Sequence, residues 1–166
     1  MDGNPAYQVR VEKVQFSAAH FATFSEKCER LHGHSYEVAA EVDGELTPDA
    51  WVFDFVRLKT MLRDICQELD HRFLLQAESK VLKIERGAGS WEIETPQGSC
   101  FRLPAGDVVA LPLENTTAEL LARWICGRLR AALQEERAGN VAAVSVDVWE
   151  GPGQRATYRE KGLPLA

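Results

Sequence analysis

The sequence predicts an α+β fold in which an antiparallel four-stranded sheet is backed by two helices on one face. Three observations point to it. Segments of alternating apolar and polar residues stand near both ends of the chain, over 8–20, 34–42, 144–150 and 155–159. Between them lie two stretches in which apolar residues recur at helical spacing, 55–69 and 118–137. The connections between the outer pairs of strands are short enough for antiparallel pairing, and antiparallel strands with helices gathered on one side make a two-layer α+β sandwich.

In chain order, Gln8 to Phe16 starts the first strand. Val9 and Val11 alternate with polar neighbours, and Val14 and Phe16 resume the alternation after a one-residue slip at Glu12-Lys13, the mark of a β-bulge. Ser17 to His20 continue it, and 21–31 read as a polar loop. From His34, residues Tyr36, Val38, Ala40 and Val42 share one face while Glu37 and Glu41 take the other. Asp43 to Pro48 form a turn, and Asp54 is placed to cap a helix whose stripe is Phe55, Leu58, Leu62, Ile65 and Leu69, ending near Asp70. Residues 71–75 read as a loop. In 81–113 the segments Ser90 to Thr95 and Ser99 to Leu103 flank Pro96-Gln97-Gly98, which predicts a β-hairpin inserted between the helices, the whole insertion spanning about 76–113. Trp91 and Phe101 there suit hairpin packing. Thr116-Thr117-Ala118-Glu119 fits a capping box opening the second helix, whose stripe is Leu121, Trp124, Ile125, Leu129 and Leu133. Gly139-Asn140 ends it. Val144, Val146 and Val148 lead to Trp149-Glu150, and Gly151-Pro152-Gly153 turns the chain into a last short strand.

A chain of 166 residues without repeats or linkers is expected to form one domain over 1–166. The net charge of −6 argues against nucleic acid or an anionic membrane as a partner, and leaves room for a small anionic substrate met by local Lys and Arg. No apolar run is long enough for a membrane span. The first residues lack the pattern of a signal peptide, and the four cysteines include no CxxC pair, so the expected location is the cytoplasm. Cys66 and Cys126 fall within the helices and suit small core positions.

The chemistry gathers around Cys28-Glu29-Arg30-Leu31-His32-Gly33-His34, with His20 upstream. A His-x-His pair in a strand points both imidazoles to one face, and the base of the loop between the first two strands brings His20 to them. Three histidines without a fourth protein ligand form the donor set of a catalytic zinc, which keeps one position for water or substrate. A lone histidine is more often surface or satisfied core, but here every histidine in the chain falls in a motif. Cys28 alone would suit a small buried hydrophobe; its polar loop and the adjacent Lys27 favour a reactive thiol.

The series Phe16-Ser17-Ala18-Ala19-His20, Cys28-x-x-x-His32-Gly33-His34, Leu69-Asp70-His71, Glu114-Asn115-Thr116-Thr117-Ala118-Glu119 and a Glu closing the third strand resembles the 6-pyruvoyl-tetrahydropterin synthase / 6-carboxytetrahydropterin synthase family, over about residues 8 to 160. The resemblance implies the tunnelling fold, homo-oligomers that are commonly hexamers of two trimers with active sites at subunit boundaries, Zn2+ as cofactor and 7,8-dihydroneopterin triphosphate as substrate. It implies His20, His32 and His34 as zinc ligands, Cys28, Asp70 and His71 as the proton-transfer group, and Glu150 as the pterin anchor, with Thr117 beside the pterin pocket. Lys27 and Arg30 are assigned to the triphosphate because they flank Cys28.

The three-residue gap between Cys28 and the His-Gly-His run resembles the 6-carboxytetrahydropterin synthases of the queuosine (7-deazaguanine) pathway, whereas the pyruvoyl-forming enzymes usually have a longer gap. Glu29 directly after Cys28 resembles the branch that cleaves the side chain to 6-hydroxymethyl-7,8-dihydropterin for folate synthesis, which makes Glu29 a further catalytic candidate. The carboxytetrahydropterin reaction is the expected one, with side-chain cleavage next and the pyruvoyl-tetrahydropterin-forming reaction a further alternative. A non-catalytic zinc- and pterin-binding module stands as the alternative of another class; it would need no thiol and no Asp-His pair. Ala118 and Thr116 stand where many relatives carry Ser and Pro.

Overall fold

The computed structural model describes residues 6–162. Two long strands form its spine: β1 (Tyr7–His20) runs antiparallel to β4 (His32–Gly44), from Tyr7 opposite Gly44 to His20 opposite His32. The slip at residues 12–13 is a true bulge. The register shifts between Val11 and Val14, and Lys13 takes a positive φ of 61°. Strand β10 (Val141–Gly151) pairs antiparallel with β4, and β11 (Gln154–Lys161) folds back on β10 through the Gly-Pro-Gly turn. These four strands are the predicted antiparallel sheet.

Its apolar face, carrying Tyr36, Val38, Ala40, Val42, Val144, Val146 and Val148, is fully buried beneath α1 (Phe55–Leu69) and α2 (Ala118–Glu135). The helices present Leu58, Leu62, Ile65 and Leu69, and Leu121, Ile125, Leu129 and Leu133, to that face. Each such side chain contributes about 1.5–3 kcal/mol by leaving water. Asp54 caps α1 by accepting from the Arg57 N–H at 2.7 Å. The opposite face is polar: Arg10 meets Asp147 at 2.6 Å and Arg159 meets Asp43 at 2.8 Å, which satisfies two buried carboxylates.

Three features differ from the sequence expectation. The sheet has six strands, because β5 (Arg72–Gln76) and β9 (Val108–Leu111) extend it in parallel beyond β1, in the order β11-β10-β4-β1-β5-β9. Residues 71–75, expected as a loop, lack alternation because β5 is buried on both faces: Leu74 enters the main core, and Phe73 and Leu75 enter a second, smaller one. The inserted hairpin is real, but it is part of a three-stranded antiparallel sheet of β6 (Lys83–Arg86), β7 (Ser90–Glu94) and β8 (Cys100–Pro104). Strand β6 is mostly polar and sends only Ile84 inward, so its pattern was too short to read. Beneath this sheet lies the second core, with Phe21, Phe73, Leu75, Leu82, Ile93 and Val108 buried. The polar loop 21–31 also contains structure, a tight hairpin of β2 (Thr23–Phe24) and β3 (Lys27–Cys28). Among the described residues no helix is long and apolar enough to cross a membrane.

Candidate metal centre and catalytic cavity

The β1–β4 register creates the site. His20 faces His32 across the ladder, and His34 lies two residues further along β4 on the same side. Ring centroids are 4.7 Å apart for His20 and His32, 5.2 Å for His20 and His34, and 4.9 Å for His32 and His34. One ring nitrogen from each lies within 4.8 Å of the other two.

Two of the three tautomers follow from hydrogen bonding. A carbonyl only accepts, so the His20 Nδ1–H donates to the Thr116 carbonyl at 2.9 Å, and the His32 Nδ1–H donates to the Arg30 carbonyl at 2.7 Å. Both rings then present a bare Nε2. His20 is only 2% exposed, and its Nε2 is buried without a partner. Burial drives its pKa down to about 4; His32 and His34 push the same way, against the hydrogen bond to Thr116. A neutral imidazole with a desolvated lone pair among two others fits a divalent cation, and a backbone hydrogen bond at the far nitrogen is the usual way such a ligand is held.

The trio opens onto a cavity of about 850 Å³ that is also lined by Glu29, Thr117, Glu119, Glu150 and Arg155. Three carboxylates face one guanidinium there, a balance that a bound cation would offset. Burial raises Glu150; Glu119 and Glu29 add to this, while His34 and His32 oppose it. Tyr36, below the histidines on β4, has a buried hydroxyl without a partner and stacks on Phe16 at 4.7 Å. Tyr36 follows His34 by two residues on the same strand face and belongs to the main core.

Other candidates lie elsewhere. Cys28 does not line the cavity. Its side chain packs against the second core, and burial, then the adjacent Glu29, raises its thiol pKa. Neither Lys27 nor Arg30, the cations near Cys28, lines the cavity. Asp70 and His71 form a joined pair on the other side of the β1 end. His71 Nδ1 lies 2.9 Å from Asp70 Oδ2, the Ser17 N–H donates to Asp70 Oδ1 at 2.7 Å, and the His71 N–H donates to the Ser17 carbonyl at 2.6 Å. The Ser17 N–H is the main reason the Asp70 carboxyl sits below its ordinary range. His71 holds a left-handed φ of 55° just past the α1 terminus, and its side chain is 82% exposed.

Around α2 the cap is Thr117, which accepts from Leu120 N–H, rather than Thr116. Thr116 is fully buried, and its hydroxyl bridges Phe21, Gln76 and His20. Glu119, expected to close a capping box, lines the cavity instead.

A six-stranded sheet with two helices on one face and a histidine trio at the end of its two central strands defines an α+β protein of the pterin-synthase class. The chain belongs to the 6-pyruvoyl tetrahydropterin synthase family, whose model matches residues 9–161, and is an enzyme of the lyase type. It is similar to the Plasmodium vivax 6-pyruvoyltetrahydropterin synthase, with 31% identity, a TM-score of 0.88, and 93% of this chain and 98% of that one covered. The same likeness holds for a form of that protein in which a catalytic glutamate is replaced by alanine. A Pyrococcus horikoshii protein provisionally named a 6-carboxy-5,6,7,8-tetrahydropterin synthase is 33% identical over 140 residues, 83% of this chain and 81% of the relative. A Pyrococcus furiosus dihydroneopterin monophosphate aldolase is 28% identical over 141 residues, 85% and 88% of the two chains.

Proposed function

We propose that this chain is a zinc-dependent lyase acting on 7,8-dihydroneopterin triphosphate to form 6-carboxy-5,6,7,8-tetrahydropterin, working in the cytoplasm as a single-domain protomer of a homo-oligomer. One observation carries the reading: three imidazoles, one with an unpartnered buried Nε2, share a cavity with Glu29 and Glu150. The carboxytetrahydropterin product is favoured by relatives such as that of P. horikoshii.

His20, His32 and His34 would hold the zinc, which supplies Lewis-acid polarisation of the substrate's side-chain oxygens when bound. Glu150 anchors the pterin by accepting two parallel N–H bonds from its 2-aminopyrimidinone edge. Burial, Glu119 and Glu29 all disfavour its charged form, so a pterin edge that donates two N–H bonds would offset what the environment costs. Thr117 borders the same wall. Glu29 lies in the cavity and takes a proton from the substrate side chain; Cys28, facing away with its thiol raised, supports the loop in this conformation.

Asp70 fixes the His71 ring by accepting at Nδ1, which leaves Nε2 directed at solvent. An oriented acid–base pair with nothing of its own chain to act on suits a site completed by a second copy, as the family's subunit-boundary sites imply. The triphosphate contacts assigned to Lys27 and Arg30 fit the same arrangement, since both sit on the exposed loop rather than in their own chain's cavity.

A second reading has its own observation. Glu29 in the cavity, with Cys28 outside it, favours cleavage of the side chain to 6-hydroxymethyl-7,8-dihydropterin, and the P. vivax protein also has a catalytic glutamate. Incubation with dihydroneopterin triphosphate and mass spectrometry of the products decides between them. The first reading expects the carboxy product; sole formation of the hydroxymethyl product would overturn it in favour of the second.

A further inference from the structure

The β2–β3 hairpin that carries Cys28 into Glu29 is too small to hold itself. It has two residues per strand, and its turn puts Ser25 and Glu26 at positive φ, 48° and 62°, with no glycine to relieve the strain. It has one cross-strand pair beyond the turn, Thr23 with Cys28, followed only by the Glu29 N–H bond to the Ala22 carbonyl at 2.9 Å, and each member of the pair is gripped from outside by a side-chain amide. Asn115 accepts from the Thr23 N–H at 3.0 Å and donates to the Thr23 carbonyl at 2.8 Å. Gln97 accepts from the Cys28 N–H at 3.1 Å and donates to the Cys28 carbonyl at 2.9 Å. Each amide thus satisfies both backbone groups of one residue, as a further strand would.

Gln97 is itself well fixed. It occupies the tip between β7 and β8, where Pro96 restricts the turn, Gly98 takes the required φ of 84°, and the Gly98 N–H donates to the Thr95 carbonyl at 2.9 Å. The buried Thr95 hydroxyl accepts from the Ser99 N–H at 3.1 Å. The Cys28 side chain packs against the second core, to which the three-stranded sheet contributes Ile93 with Trp91 and Phe101 at its margin.

We infer that Gln97 is a positioning residue for Glu29: the sheet of residues 83–104 acts as a buttress whose tip sets the register of the Cys28–Glu29 backbone and so the reach of the Glu29 carboxylate into the cavity. The inference deepens the proposed function and rests on it for its kinetic consequence, though not for its structural one.

Two measurements on the full chain test it. In hydrogen exchange, Gln97→Ala is expected to speed exchange of the Cys28 and Glu29 amides about tenfold or more while β1 and β4 keep their protection. Unchanged exchange overturns the inference whatever the enzyme's substrate. In steady-state kinetics with dihydroneopterin triphosphate, Gln97→Ala is expected to lower kcat about tenfold with KM within about twofold, and Gln97→Met, similar in size but without the amide, to do the same. In a Glu29→Ala background, Gln97→Ala is expected to cost nothing further. Full additivity of the two substitutions, or wild-type kcat in Gln97→Ala, overturns it. Should the wild type fail to turn the substrate over, the proposed function falls and the exchange result alone decides for Gln97.

Discussion

The two ends of the proposed machinery differ in how complete a single chain makes them. The histidine cavity is finished within one copy: His20 is buried, two of its rings are fixed by backbone carbonyls, and Glu29, Thr117 and Glu150 share its walls. The Asp70–His71 pair is equally well oriented, yet His71 stands open to solvent at the edge of the sheet. Orientation without a target is costly, since it holds a non-glycine residue in a left-handed conformation. The contrast teaches that strand register alone can gather three imidazoles, whereas the Asp70–His71 pair fits the proposed function only with an opposing surface.

The largest effects should come from breaking the finished half. His32→Ala and His34→Ala should each lose bound zinc and lower turnover about a thousandfold or more, checked by elemental analysis beside the product assay. The contrast itself is tested by mixing. His32→Ala and His71→Ala should each be inactive alone, and co-assembled hybrids should regain a measurable fraction of wild-type activity, because one intact site can draw on both chains. A mixture as inactive as its parents would make the pair part of its own chain's site, and an active His71→Ala would place it outside the reaction. Glu29→Gln, which keeps shape but not basicity, should reduce product formation about a hundredfold while leaving the zinc content unchanged.

A smaller effect should follow from loosening the support of His20. Thr116→Val removes the buried hydroxyl that bridges Phe21, Gln76 and the His20 ring, and should weaken zinc binding about tenfold in a competition titration with a chelator. The smallest concerns the thiols. Burial pushes Cys66 and Cys126 up to about 12, so both stay protonated well above neutral pH. A thiol reagent at pH 8 should therefore label the exposed Cys100 first and Cys28 more slowly, leaving Cys66 and Cys126 untouched until the protein unfolds.

Much of this was legible in the residues because it depends on periodicity. The His-x-His pair, the bulge at residues 12–13 and the two helix stripes are short-range patterns, and they place the histidine trio without reference to anything distant. The parts that were not legible depend on contacts across the chain. Nothing local says that Cys28 turns into a second core, since that core is made by Phe21, Phe73, Ile93 and Val108 from four separate segments. Strand β5 was hidden because burial on both faces erases alternation. Thr116 looked like a cap because its sequence fits one, yet its burial against His20 displaces the cap to Thr117. Gln97 had no signal at all: a glutamine in a Pro-Gln-Gly turn is ordinary until Cys28, distant in sequence, is placed beside it.

In the proposed function, His20, His32 and His34 grip one divalent ion in the cavity that Glu29 and Glu150 also line. Anomalous diffraction at the zinc edge, from crystals of zinc-loaded protein, tests it most directly. One strong peak per protomer is expected among the three imidazoles, on the side of the bare His20 Nε2. A cavity without a peak, or a peak held by other side chains, would contradict it.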